Sequence, residues 1–240
     1  MRAFGNPGTV KSSMSDLDNP TQAAEFAFKL TSEGLKRSTD VDSCVALVSK
    51  LDERIEATIS QANNPDVQIA CKAGCSFCCH LRVLIRPHEA IALFRSLRSR
   101  ISDEKVAAIV AKVLANADLI GSMTEAEHMS ARIPCAFLVD GCCSAYSTRP
   151  AICAAHHSLD RNGCEESFKN PTDLADRIPM SGRIRHAHGA MEAGISKALQ
   201  ALNLNGESVE LHTAVAALLR DPSLIARWRK GRSLLKPRQA

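Results

Sequence analysis

Along most of the chain, apolar residues recur three and four positions apart, the spacing of a helix that buries one face. The clearest run is Cys44, Val48, Leu51, Ile55 and Ile59. Asp40 precedes it as an N-cap and Asn63-Asn64-Pro65 stops it, which predicts an amphipathic helix of about 22 residues. Thr21 to Lys36 carries a weaker helical pattern through Ala24, Phe28 and Leu35. Pro87 suits the first turn of a helix through Ala90, Ile91, Phe94 and Leu97. Ser102, followed by Asp103 and Glu104, opens a helix through Val106, Ile109, Val110, Val113 and Leu114, with its acids at the positive end of the helix dipole. Thr124 and Glu127 have capping-box spacing ahead of a short helix ending near Arg132. Ser181 caps a run through Ile184, Met191, Ile195, Leu199 and Leu202, and Leu211, Val215, Leu218 and Leu219 mark the next helix. Asp221-Pro222 reads as a cap and first-turn proline for a last helix through Leu224 and Trp228.

Two stretches break this pattern. Leu81 to Ile85 is short enough for one strand or an extended connector. Between Cys135 and Cys164, the Phe137-Leu138-Val139 run, an Asp140-Gly141 turn and Pro150 predict irregular structure. The expected class is therefore mainly α: a helical domain around an irregular, cysteine-rich centre with at most short strands. Residues 1–19 read as a flexible arm, 20–226 as a single domain and 227–240 as a basic tail.

With 240 residues, the chain can bury a core without an external staple. Hydrophobic residues at 45% and charged ones at 23% exclude wholesale disorder and collagen-like repeats. Only 4% is aromatic, which disfavours a base-stacking platform for single-stranded nucleic acid. The longest apolar runs, such as Val106 to Ala111, stop at six residues, far short of the roughly 20 that span a bilayer. Met1 to Asn19 lacks the apolar stretch of a signal peptide, so the expected compartment is the reducing cytoplasm. The net charge of +4 is uneven: Arg227, Arg229, Lys230, Arg232, Lys236 and Arg238 leave 24 basic against 26 acidic side chains elsewhere. Such a tail suits an acidic partner or nucleic acid, and a solvated segment that aids solubility explains the same charges.

Chemistry enters with the cysteines. Nine of the ten lie between Cys71 and Cys164. Cys44 falls on the apolar face of its helix and reads as core packing. The first group is Cys71-x3-Cys75-x2-Cys78-Cys79; the second holds Cys135, Cys142, Cys143, Cys153 and Cys164. Adjacent pairs of reduced thiols at this density argue against simple packing, because partnerless thiols are an oxidation liability. Thiolates are soft ligands that favour zinc, cuprous copper or iron–sulfur centres over calcium or magnesium. Lys72, Arg82, Arg132 and Arg149 flank them as candidate counter-charges.

These motifs, continued by Pro134-Cys135-x-Phe137-Leu138, Gly141 and Cys143-x2-Tyr146-x2-Arg149-Pro150-x2-Cys153, resemble the YkgJ-type cysteine-cluster family over about residues 70 to 165. That resemblance implies chelation of zinc or iron, an iron–sulfur cluster included, by Cys71, Cys75, Cys78, Cys79, Cys135, Cys143 and Cys153. Cys164 looks like an eighth position found in part of the family, Cys142 is extra, and Ala154 stands where an Arg commonly follows the cysteine. Eight sulfurs suit two four-coordinate sites or one site with spare thiols, and adjacent cysteines can serve different centres. Two other readings stay open: an iron–sulfur redox or radical S-adenosylmethionine-like enzyme, since Cys71-x3-Cys75-x2-Cys78 has that spacing, and a thiol-based redox sensor using Cys153 and Cys164. His80 is a further candidate ligand, and the pair His156-His157 lies close enough in sequence to ligate but reads better as part of a polar loop, whereas His186 and His188, two apart on a helix, face different ways. Tyr146, Arg149 and Pro150 are expected to shape the loop between Cys143 and Cys153.

Overall fold

The computed structural model describes residues 19–37, 40–63, 67–99, 103–172 and 178–235. The expected flexible arm lies outside them, apart from Asn19. The described part is mainly α, with α1 Pro20–Arg37, α2 Val41–Ala62, α3 Pro87–Arg98, α4 Glu104–Gly121, α5 Glu125–Ser130, α6 Ala151–Ala155, α7 Arg161–Lys169, α8 Gly182–Ala201, α9 Leu211–Arg220 and α10 Leu224–Arg229. Two short antiparallel ladders complete it: β1 Leu84–Ile85 on β4 Val209–Glu210, and β2 Leu138–Val139 on β3 Cys142–Cys143. No helix among the described residues is long and apolar enough to cross a membrane.

The core is the sum of the predicted helical stripes. Leu47, Leu51 and Ile55 of α2 meet Ile91, Leu93 and Leu97 of α3, joined by Val215 and Leu218 of α9. Cys44 is wholly buried in this cluster, and burial pushes its thiol up to about 12, consistent with a packing role. Trp228 and Leu234, inside the stretch expected to be a basic tail, are also fully buried, and the Trp228 indole donates to the Asn205 carbonyl at 2.7 Å. Lys236 and Arg238 lie outside the described residues. Helix α1 lies mainly along α8, at a seam so close that a Cβ on Gly194 would fall 2.1 Å from the Ala24 carbonyl oxygen.

Caps explain most helix starts. Asp40 accepts from the Ser43 amide at 2.7 Å, and Thr124 and Glu127 form the expected reciprocal box. Asp103 caps α4 by accepting from Lys105 N–H, whereas the expected Ser102 lies outside the described residues. At α10 the expectation fails. Asp221 instead makes a turn that accepts from the Ser223 amide and hydroxyl, so the helix begins at Leu224. The cysteine segment after Cys135 is also less irregular than expected, since α6 carries Cys153 and α7 carries Cys164. Asp160 starts α7 by accepting from the Asn162 and Gly163 amides.

Candidate metal centre

Cys75 follows a turn closed by its own amide on Lys72 O at 3.0 Å, with Gly74 at φ 86°. Cys78 and Cys79 lie in a 3-10 turn, Phe77–His80. Across from it, Asp140 (φ 50°) and Gly141 (φ 75°) make the two-residue turn between β2 and β3, which places Cys143 opposite Leu138 and Cys142 opposite Val139. The two loops touch at their glycines: a Cβ on Gly141 would lie 3.8 Å from Gly74. Backbone bonds fasten the segments together. Cys135 N–H donates to Cys79 O at 2.8 Å, and Ala70 N–H donates to Ser158 O at 2.8 Å. Ser158 N–H in turn points at Cys71 Sγ, 3.3 Å away.

The helical body grips the second segment at three points that sequence patterns do not reveal. His212 Nε2 accepts from Ala136 N–H at 3.1 Å, immediately after Cys135. Arg149 reaches α2, where its Nε donates to Asp52 at 2.8 Å and its other arm pairs with Glu56; its guanidinium also lies 4.0 Å over the Tyr146 ring. Glu89 of α3 accepts from Arg86 N–H at 2.7 Å and from Ala151 N–H, the first residue of α6, at 2.8 Å. Burial, reinforced by Glu192, pushes this carboxyl up to about 7. His157, expected in a polar loop, is buried instead and holds Ser181 N–H at 2.7 Å.

All ten cysteines are free thiols. Their electrostatic influence on one another separates six of the eight candidate ligands into two neighbourhoods. Burial raises Cys71, with further increments from Cys78, Cys75 and Cys164; burial likewise raises Cys164, with Cys75 and Cys78 adding. In the other neighbourhood, burial pushes Cys135 up to about 11 and Cys153 well above its ordinary value, and it raises Cys143. Cys135, Cys143 and Cys78 add to the effect on Cys153. Cys78 influences both groups, and its own thiol is raised first by a hydrogen bond with Cys79 and then by burial. Cys142 is exposed.

Of the flanking bases, Arg149 opposes the build-up of negative charge at Cys143 and Cys78. Arg82 pairs with Glu125 at 3.0 Å, and Arg132 donates to the Ser167 and Phe168 carbonyls. His80 points its Nδ1 at Ser76 O (3.0 Å) and meets the Phe168 ring edge-on. His156, partly buried, lines a small cleft of about 20 Å³, room for roughly one water, together with Phe77, Phe168, Leu81, Cys78 and Cys164.

Residues 70–173 match the CxxCxxCC family model, described as "Putative zinc- or iron-chelating domain". This is the cysteine-cluster family that the motifs resemble, and the match covers less than half of the chain. Comparison with curated proteins finds no match, and neither does comparison with solved structures. The donor set of the domain, soft free thiols from two segments, fits zinc or iron. Among the described residues, no group of three or more His, Cys, Asp or Glu side chains already stands in position to hold a metal ion. The Cys78–Cys79 hydrogen bond is one contact that ligation must break.

Proposed function

We propose that the domain binds zinc or iron through thiolates of Cys71, Cys75, Cys78, Cys79, Cys135, Cys143, Cys153 and Cys164, and that the metal ties the two cysteine segments together. The observation that supports this reading is that Cys78, in the first segment, is close enough to influence the free thiols of Cys71, Cys135, Cys153 and Cys164, three of them remote in sequence. Cys78 and Cys79 would join the two groups. Ser158 N–H supports Cys71, and the amides of Phe137 and Ala145 support Cys135 and Cys143, as backbone donors support metal thiolates. A bound metal would replace thiol protons, and the binding energy would add to folding energy because the ligands come from distant segments. Arg149, held by Asp52 and Glu56, would offset part of the thiolate charge.

Anaerobic purification followed by elemental analysis and an optical spectrum tests this reading. Bound zinc with a colourless protein, or bound iron with broad absorption near roughly 400 nm, is the expected result. A folded protein that holds neither metal overturns it. A second reading, an iron–sulfur redox enzyme, is favoured by the exposed Cys71 thiol, which leaves one candidate ligand position open to solution. Iron with that absorption, bleached by dithionite, selects this second reading; zinc rejects it.

A further inference from the structure

The two thiol neighbourhoods differ in their surroundings. Cys135 and Cys143 pack against the main hydrophobic core. Cys153 sits in α6 between buried Ala151 and Ala154. The chain that carries them is fastened to the helical body at Ala136, Arg149 and Ala151, by His212, Asp52 and Glu89 in turn. The other neighbourhood lies at the margin. Cys71 is exposed, as are Lys72, Ala73 and Gly74 that follow it. Cys164 rides on α7, a helix with no buried residue that packs against the 3-10 turn of Cys78 and Cys79. Cys164 and Cys78 also face each other across a small cleft beside His156, which places them on the same side of the turn.

We infer that the eight thiols make two four-thiolate centres of unequal accessibility. The inner one is built on Cys135, Cys143 and Cys153, the outer one on Cys71, Cys75 and Cys164, and the adjacent Cys78 and Cys79 give one thiolate to each. The inference rests on the thiolate-metal reading proposed above and goes beyond it in assigning different tasks to the two halves. The inner centre holds its ion permanently, since releasing it means freeing three segments from the core. The outer centre exchanges a zinc-like divalent cation with solution, because a chelator or acceptor thiol can reach it along the exposed Cys71 loop.

The split follows from general metal-site physics. Structural four-thiolate sites are closed on all sides, whereas sites that exchange or react keep one side open. A rigid surrounding shell slows loss of the metal, and a mobile or solvated one permits it. Adjacent cysteines are the natural junction, because successive side chains in a tight turn point in different directions.

The test loads the full chain with zinc, measures metal per chain, and follows release to an excess of a chromogenic chelator. Two zinc ions per chain are expected, released in two phases that differ at least about tenfold in rate. Cys164→Ser should lose the fast phase and keep the slow one, with its helical circular dichroism unchanged. One zinc per chain, or two released in a single phase, overturns the two-centre assignment and leaves the proposed metal binding intact. Loss of the slow phase rather than the fast one in Cys164→Ser also overturns it. Absence of any bound metal instead overturns the underlying reading. Cys153→Ser should lose the slow phase and keep the fast one, and should it fail to fold, the wild-type phases and Cys164→Ser still decide the matter.

Discussion

Replacing Arg149 by methionine tests how the second cysteine segment is held. The Arg149 and Asp52 side chains are only 13% and 11% exposed, and their 2.8 Å contact is the buried half of the arrangement. Glu56, at 42% exposure, sits in water on the other side. Methionine keeps most of the side-chain volume, so the change isolates the charge. Breaking a buried pair by removing one partner costs about 3–5 kcal/mol, because the remaining charge is left desolvated, and lost cation–π contact with Tyr146 adds about 0.5–1. The exposed Glu56 contact contributes about 0–1 kcal/mol. Some water will reach Asp52 once the guanidinium is gone, so we expect a loss of about 3 kcal/mol in urea unfolding followed by circular dichroism at pH 7.5. Asp52→Asn on top of Arg149→Met removes the stranded charge and should restore about 1–2 kcal/mol. Burial already raises the Asp52 carboxyl, and without Arg149 it rises further. A raised acid stabilises the fold as pH falls, so the Arg149→Met deficit should shrink toward pH 5. A single variant within about 0.5 kcal/mol of wild type, or a double variant equal to the sum of the two singles, refutes the buried-pair account.

Glu89→Gln addresses pH. The wild-type carboxyl, pushed up to about 7, is protonated in the fold and ionised in the unfolded chain between about pH 4.5 and 7, so stability falls across that window as pH rises. In chelator, the wild-type curve should descend more steeply than that of Glu89→Gln by up to about 1.4 kcal/mol per pH unit; parallel curves contradict it. Cys142→Ser should leave bound metal unchanged while Cys143→Ser lowers it, read by elemental analysis; equal losses would mean that both members of the pair are used. Gly194→Ala drives a methyl into the Ala24 carbonyl of α1, and the overpacking cost of about 1–3 kcal/mol outweighs the gain of about 1 in helix propensity. A lower melting temperature is expected, and an unchanged or higher one shows that α1 lifts off α8 at no cost.

Helix α2 was readable because its signals are local: a regular apolar stripe, Asp40 before it and Asn63 after it. The same holds for α3 with Pro87 and for α5 with its Thr124–Glu127 box. Two short helices in the cysteine region escape a periodicity argument because five- and nine-residue segments scarcely establish a period, and no apolar stripe follows the cap at Asp160. Pairing of Leu84–Ile85 with Val209–Glu210 depends on tertiary packing, which no local pattern encodes. At the site, cysteine spacing and the family resemblance named the candidate ligands. Their division into two neighbourhoods was not legible, because it depends on how the Gly74 and Gly141 loops meet. Glu89 and His212 were equally hidden. Each looks like an ordinary polar residue on a helix until its partner amide, at Ala151 or Ala136, arrives from a distant part of the chain.

The sole tryptophan lies in α10, sealed against Asn205 and away from the thiol-bearing segments in sequence. Its emission is a built-in monitor of the helical frame. An intensity change during oxidation or chelation signals that the frame itself has opened, and steady emission confines the event to the sulfur-bearing loops. Nature has thus supplied the chain with one optical probe that separates loss of fold from loss of cargo, with no label attached.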